Sequence, residues 1–337
     1  MQNRREDREE LERRMLSEFG TLAVNSKGRE RPEDECDIRT CFQRDIDRIV
    51  HSKSFRRLIH KTQVFLQPEG DHYRTRLTHT FEVSRIARTI SRALGLNEDL
   101  TEAIAYGHDL GHTPYGHAGE RAMSTILREH GGFRHNVQSL RVVDKIERDG
   151  QGLNLSFEVR DGIVNHTGEN QPSTFEGKVV RLSDRIAYIN HDTDDAIRAG
   201  ILAESDIPGE ISCALGDSYG ERIDTIIKDV VGESAMRGEI TMGPEVEFAV
   251  DSFYSFMFER VYNNPTAKGE ETKVFGILNG IFGYYVDNPD KLPPDYKKLA
   301  EEDGLFRAVG DYVSGMTDKY SINKYGELFI PEAWRVL

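Results

Sequence analysis

Apolar residues recur at helical spacing along most of the chain. Leu77, Phe81, Ile86, Ile90 and Leu94 form one stripe, and Gly95 follows as a C-terminal cap. Asn97 then precedes Glu98 and Asp99, an N-cap with acids in the first turn. This second helix is predicted to run to about Asp109 and to end at Gly111. The same period predicts helices over Ala118–His130, Asn136–Glu147 and Phe175–Arg198. Several more follow between about Glu221 and Tyr320, broken at Pro265, Asn288-Pro289 and Pro293-Pro294. Strand signals are weak, and the one candidate is a short hairpin around Gly326, between Tyr320 and Ile330. Numerous helices without alternating strands predict an all-α protein. A helical core is expected over 36–205, with a helical section over 206–337 packed on it. The highly charged stretch 1–35 is expected to be partly mobile.

Composition narrows the chemistry. No apolar run approaches the ~18 residues of a membrane span, and the charged start Met1–Glu10 does not read as a secretory signal. The three cysteines, Cys36, Cys41 and Cys213, lack a Cys-x-x-Cys spacing. That speaks against a disulfide framework and a thiolate zinc site, and a cytoplasmic setting is expected. A net charge of −14 argues against broad nucleic-acid binding. Yet Arg39 to Arg76 holds nine Lys or Arg against four acids. Such a basic island suits either a local anionic ligand or a solvated helix face.

Histidines carry the strongest signal. Six of the eleven lie between His79 and His135. His108-Asp109 sits at a predicted helix end, His79 on the preceding helix, and Asp184 is an acid on an otherwise apolar helix. Together they offer two imidazoles and two carboxylates from three helices. That donor set suits a divalent ion such as Mn, Fe, Co, Ni, Zn or Mg and leaves positions open for water and substrate.

The ordered set His…His-Asp…Asp matches the HD phosphohydrolase superfamily. The segment Arg39–Leu58 with Lys61-Thr62-Gln63-Val64-Phe65 resembles the N-terminal signature of the deoxyguanosine triphosphate triphosphohydrolase (dGTPase) family. His108–Glu120 is similar to that family's central motif, and Phe133–Asn136 and Gly315–Tyr320 to further segments. The resemblance implies an all-α HD fold with additional C-terminal helices. It implies metal-dependent hydrolysis of a dNTP to deoxynucleoside and intact triphosphate, with His79, His108, Asp109 and Asp184 holding the metal. A second Mg entering with the substrate is a further expectation.

By the same resemblance, His117 is the general acid with Glu120 as its carboxylate partner, and His135 and His112 are further catalytic histidines. Phosphate contacts fall on Arg76 and Arg185. Sugar contacts fall on Tyr188, Asp192 and Gln63. His117 and Glu120, three apart at a helix start, are expected to face one another, the carboxylate favouring the cationic imidazole. Asp184, Tyr188 and Asp192, spaced four apart, are expected to share a helix face. Family members form homo-oligomers, hexamers or dimers, and some take an effector dNTP; Arg44, Arg48, Arg56 and Arg57 are candidates for subunit contacts or for a second nucleotide. Other readings are a different HD phosphohydrolase, acting on a nucleoside monophosphate or a guanosine alarmone, or a regulator binding nucleotide or single strands.

Overall fold

The structure is a computed structural model that describes residues 4–63, 74–262 and 265–331. The helices run α1 (Arg5–Met15), α2 (Cys41–Val50), α3 (Arg76–Ala93), α4 (Glu98–Gly107), α5 (Gly116–Ile126), α6 (His135–Arg141), α7 (Phe157–Asn165) and α8 (Phe175–Arg198). The C-terminal section adds α9 (Tyr219–Arg237), α10 (Pro244–Met257), α11 (Pro265–Asp287), α12 (Pro294–Asp303), α13 (Leu305–Ser314) and α14 (Asp318–Phe329), with shorter helical turns between. Among the described residues there is no sheet, and only two isolated bridges occur, Arg29 with Ser156 and Thr62 with Thr75. The all-α expectation is met.

Local chemistry sets the boundaries. Asn97 caps α4 by accepting from the backbone N–H groups of Asp99 and Leu100. Thr75 and Thr174 cap α3 and α8 in the same way. The α4 helix stops at Gly107, earlier than its apolar period suggested, so His108 and Asp109 sit in the turn beyond it. The prolines placed as breaks are helix starts instead: Pro265 and Pro294 each open a helix, where a missing N–H costs nothing. The expected hairpin at Gly326 is the helix α14, whose N-cap Thr317 accepts from the Tyr320 N–H. Val64 and Phe65 of the N-terminal motif lie outside the described residues.

Helix α8 packs along α3 and α7, and α4 lies against α2, α3 and α7. Their buried faces, with Ile86, Ile90, Leu100, Ile104, Ile163, Val179, Val180 and Ile186, form the main core. A second core joins α5 (Ala122, Met123) to the C-terminal helices through Leu278, Ile281, Val309 and Val313. The N-terminal stretch is not loose over the described residues. The Glu12 carboxylate accepts from the Ala23 N–H at 2.7 Å and from Asn97 Nδ2 at 3.2 Å, and Phe19 stacks on Phe175. The basic island is mostly spent inside the fold: Arg44 and Arg48 pair with Glu33, Arg39 with Asp47, while Arg56 and Arg57 donate to the carbonyls of His51 and Gly315. No helix among the described residues is long and apolar enough to cross a membrane.

Candidate metal centre and cavity

Three elements converge on one point. His79 comes from the first turn of α3, His108 and Asp109 from the turn after α4, and Asp184 from the middle of α8. His79 Nε2 lies 3.0 Å from Asp184 Oδ1. His108 Nε2 lies 3.7 Å from both Asp184 Oδ1 and Asp109 Oδ1. The ligand atoms of His79, His108 and Asp109 fall within 4.8 Å of one another.

These residues fit a divalent cation on their own chemistry. His108 Nδ1 donates to the Ala105 carbonyl at 2.7 Å, which fixes the tautomer and leaves the Nε2 lone pair facing the centre. That Nε2 is buried with no hydrogen-bond partner, an arrangement that a cation would satisfy and that water-free burial otherwise penalises. Burial alone would raise the Asp109 and Asp184 carboxyls. Arg76 beside Asp109 and the His79 hydrogen bond to Asp184 outweigh it and hold both well below the ordinary carboxylate range. Two neutral imidazole nitrogens and two carboxylates, without thiolate, suit the first-row ions and Mg.

Beside this centre lies a cavity of about 530 Å³, within the usual range for small-molecule sites. One wall is a histidine cluster built around Glu120. The Glu120 carboxylate accepts from His135 Nδ1 at 2.9 Å and from the His135 N–H at 2.8 Å. It stands 4.0 Å from His117 Nδ1 and 3.9 Å from His112 Nε2. His112 stacks on His135 with ring centres 4.9 Å apart. All three histidines line the cavity, and His117 is the most exposed of them, its ring edge-on to Tyr188 at 5.8 Å.

The same sequence neighbourhood explains how the cluster is held. Gly111 lets the motif press against α6: a Cβ there would sit 2.1 Å from the Ser139 nitrogen. The Gly111 N–H donates to Ser139 Oγ, which donates in turn to the His108 carbonyl. Gly111→Ala is therefore expected to destabilise the fold by about 1–3 kcal/mol, the range for overpacking a close contact. A thermal midpoint unchanged from wild type would contradict this. Tyr115, in the left-handed region at φ 64°, starts α5. Its N–H donates to Asp318 Oδ1 at 2.9 Å, and the Thr62 N–H to Asp318 Oδ2 at 3.1 Å. The C-terminal motif thus fastens the turn that aims His117.

The HD-domain family profile matches residues 76–189, and the phosphohydrolase-associated domain profile matches 240–327. A protein of Caldanaerobacter subterraneus subsp. tengcongensis is 56% identical over 330 residues, covering 98% of this chain and 97% of its own. One of Clostridium tetani is 47% identical over 335 residues (96% and 95%), and one of Clostridium perfringens 49% over 337 residues (97% and 98%). All three are named deoxyguanosinetriphosphate triphosphohydrolase-like proteins. The chain belongs to this family.

As a dGTPase-like HD protein, the chain carries every expected metal donor at one centre, and Gln63, Arg76, Arg185 and Tyr188 line the cavity beside it. Three expectations change. Asp192 is fully buried and lies outside the cavity lining. Glu120 bonds His135 rather than His117. Desolvation by the surrounding wall, followed by the Arg76 guanidinium, lowers the part-exposed His117 imidazole to about 4, instead of favouring its cation. Arg185 is ion-paired with Asp251.

Sequence reasoning missed His166. Its ring lies 5.0 Å from that of His108, and its Nε2 stands 3.1 Å from His135 Nε2. It follows α7, a helix the pattern did not mark, in Asn165-His166-Thr167-Gly168. Its only signal was a histidine beside a turn glycine. Asp109, His135 and His166 form a second group with ligand atoms within 4.8 Å.

Proposed function

We propose that the protein is a metal-dependent deoxynucleoside triphosphate triphosphohydrolase, converting dNTP and water to deoxynucleoside and triphosphate. The observation that carries this is the convergence of His79, His108, Asp109 and Asp184 beside a cavity walled by cations, histidines and a tyrosine. These four residues would hold the cation, which when bound supplies Lewis-acid activation of water and of a phosphoryl oxygen. The group Asp109, His135 and His166 supports a second divalent ion arriving with the substrate.

The chain's own residues do the rest. Arg76 Nη1 is shared with Asp109 at 2.6 Å, while its Nε and Nη2 are buried without partners and stay available to phosphate oxygens. Tyr188 offers a flat face to the deoxyribose. The O5′ of the leaving deoxynucleoside needs a proton, and His117 is the most exposed of the histidines clustered around Glu120. Its imidazole is poor in protons while the cavity holds none but protein charges. The arriving triphosphate brings negative charge against it and raises its basicity. Glu120 is burial-raised in principle, but the His135 hydrogen bond and charge bring it to about 2, so it stays ionised and keeps His135 in place.

The test is incubation of cation-loaded protein with each of the four dNTPs, with both products identified. Free triphosphate is expected. Orthophosphate, or hydrolysis confined to nucleoside monophosphates or a guanosine alarmone, would assign the chain to a different phosphohydrolase. Binding of single strands or nucleotides without turnover would make it a regulator.

A further inference from the structure

An imidazole that holds a cation through one ring nitrogen needs a partner for the N–H of the other. His108 has one in the Ala105 carbonyl. His79 does not. Its Nε2 faces Asp184 at 3.0 Å, while its Nδ1 is buried with no hydrogen-bond partner among the described residues. A buried donor left in that state is costly.

A second imidazole–carboxylate pair lies next to it, outside the cavity lining. Glu82 follows His79 by three residues on α3, and His191 follows Asp184 by seven on α8. Both spacings return to nearly the same helix face, and the two helices pack along one another. Glu82 Oε2 stands 3.0 Å from His191 Nδ1, close enough to bond but out of line with its N–H. The His191 ring stands at right angles to the His79 ring, with centres 5.9 Å apart. His191 is fully buried, and its Nε2 has no hydrogen-bond partner among the described residues. The pair is firmly held. Arg74 Nε donates to Glu82 Oε1 at 3.2 Å, Arg74 Nη1 donates to Asp194 and Asp195 at 2.8 Å, and Tyr219 of α9 stacks on the His191 ring.

The chemistry of each group sets the direction of the link. A carboxylate accepts only, so Glu82 takes the His191 Nδ1–H and leaves His191 Nε2 with its lone pair. The lone pair that His79 offers a cation is on Nε2, so its proton is on Nδ1. A donor and an acceptor, both otherwise orphaned, thus sit on neighbouring buried rings. A bridging water satisfies such a pair at little cost.

We propose that His191 and Glu82 are positioning residues for the metal centre: Glu82 orients His191, and His191 Nε2 accepts from the His79 Nδ1–H across one bridging water, which holds the His79 Nε2 lone pair toward the cation. This rests on the metal-centre reading above, and neither residue touches substrate.

The test is cation binding rather than turnover. Chelator-stripped wild type, His191→Leu, His191→Gln and Glu82→Ala, each as the full chain, are titrated with Mn(II) alone, and free ion is read by electron paramagnetic resonance. His191→Leu keeps bulk and removes the acceptor. Glu82→Ala removes the orienting carboxylate at a half-buried position, which keeps the test open if His191→Leu does not fold. Both are expected to weaken Mn(II) binding by about 10–100-fold, the usual effect of losing the partner of a metal-binding histidine. His191→Gln, which restores an acceptor, is expected to recover most of that loss. In Zn-loaded wild type carrying ¹⁵N-histidine, the His79 Nδ1–H is expected as an exchange-protected resonance that disappears in His191→Leu. A packing role alone would lower the thermal midpoint of the cation-free protein and leave the affinity of folded chains unchanged. Mn(II) affinity within two-fold of wild type in Glu82→Ala, and in His191→Leu where it folds, overturns the proposal, as does a His79 resonance that persists without His191. Wild type that binds Mn(II) through this link but hydrolyses no dNTP keeps the positioning role and removes the enzymatic reading instead.

Discussion

Asp184→Asn is expected to empty the metal centre and to lower dNTP turnover about a thousand-fold or more. The change keeps the side chain's shape and removes one negative charge. That charge lies 3.0 Å from His79 Nε2 and 3.7 Å from His108 Nε2, where the cation's positive charge would be matched. A neutral amide leaves only Asp109 as an anionic donor, and Asp109 already shares its charge with Arg76. The several kcal/mol of charge stabilisation that a catalytic cation supplies would go with it, and ~4 kcal/mol is about three orders of magnitude in rate. The Asp184 carboxylate is held by His79, so the thermal midpoint is measured alongside to separate loss of metal from loss of fold. Elemental analysis of the purified variant and its turnover number check both halves. Wild-type metal content with wild-type turnover would remove Asp184 from the centre.

His117→Ala is expected to lower kcat by 10²–10⁴, the usual contribution of a positioned general acid, while metal content stays unchanged. His117 stands apart from the other histidines. His112 is buried beside Arg76, and burial followed by that guanidinium keeps its proton affinity well below normal. His135 is bound to Glu120, and His166 Nδ1 donates to the Ile163 carbonyl. His117 alone combines exposure to the cavity with contact to the Tyr188 ring. Retained metal with a loss below ten-fold would move the proton donor elsewhere, with His135 as the next candidate. Because Glu120 contacts His135 directly at 2.9 Å and His117 only at 4.0 Å, Glu120 acts on the cluster as a whole.

How much of this was legible in the sequence depends on how far each inference had to reach. Helix α8 was read with its bounds, because an amphipathic stripe, a threonine cap and Gly200 all agree. The four candidate donors stand out because each sits in a distinctive neighbourhood and they occur in order, and the fold brings them to one point. Helix α14 was misread because Gly326 was taken as a turn, when the Thr317 cap and packing against α11 hold a helix through it. The His117–Glu120 pair rests on the family resemblance, with helical spacing as its support. Spacing sets reach, but it cannot say that His135, fifteen residues on, takes the carboxylate first. Asp192 is fully buried outside the cavity lining, a depth that four-residue spacing does not reveal. His166 is not legible because its importance lies in contacts distant in sequence, with His108 and His135.

Position of bond cleavage tests the account most directly. Turnover of a dNTP in ¹⁸O-labelled water, followed by ³¹P NMR and mass analysis of both products, shows where water enters. The account predicts one labelled oxygen on a terminal phosphorus of free triphosphate and an unlabelled deoxynucleoside. Label in orthophosphate or pyrophosphate, or on the 5′ oxygen of the deoxynucleoside, would contradict it.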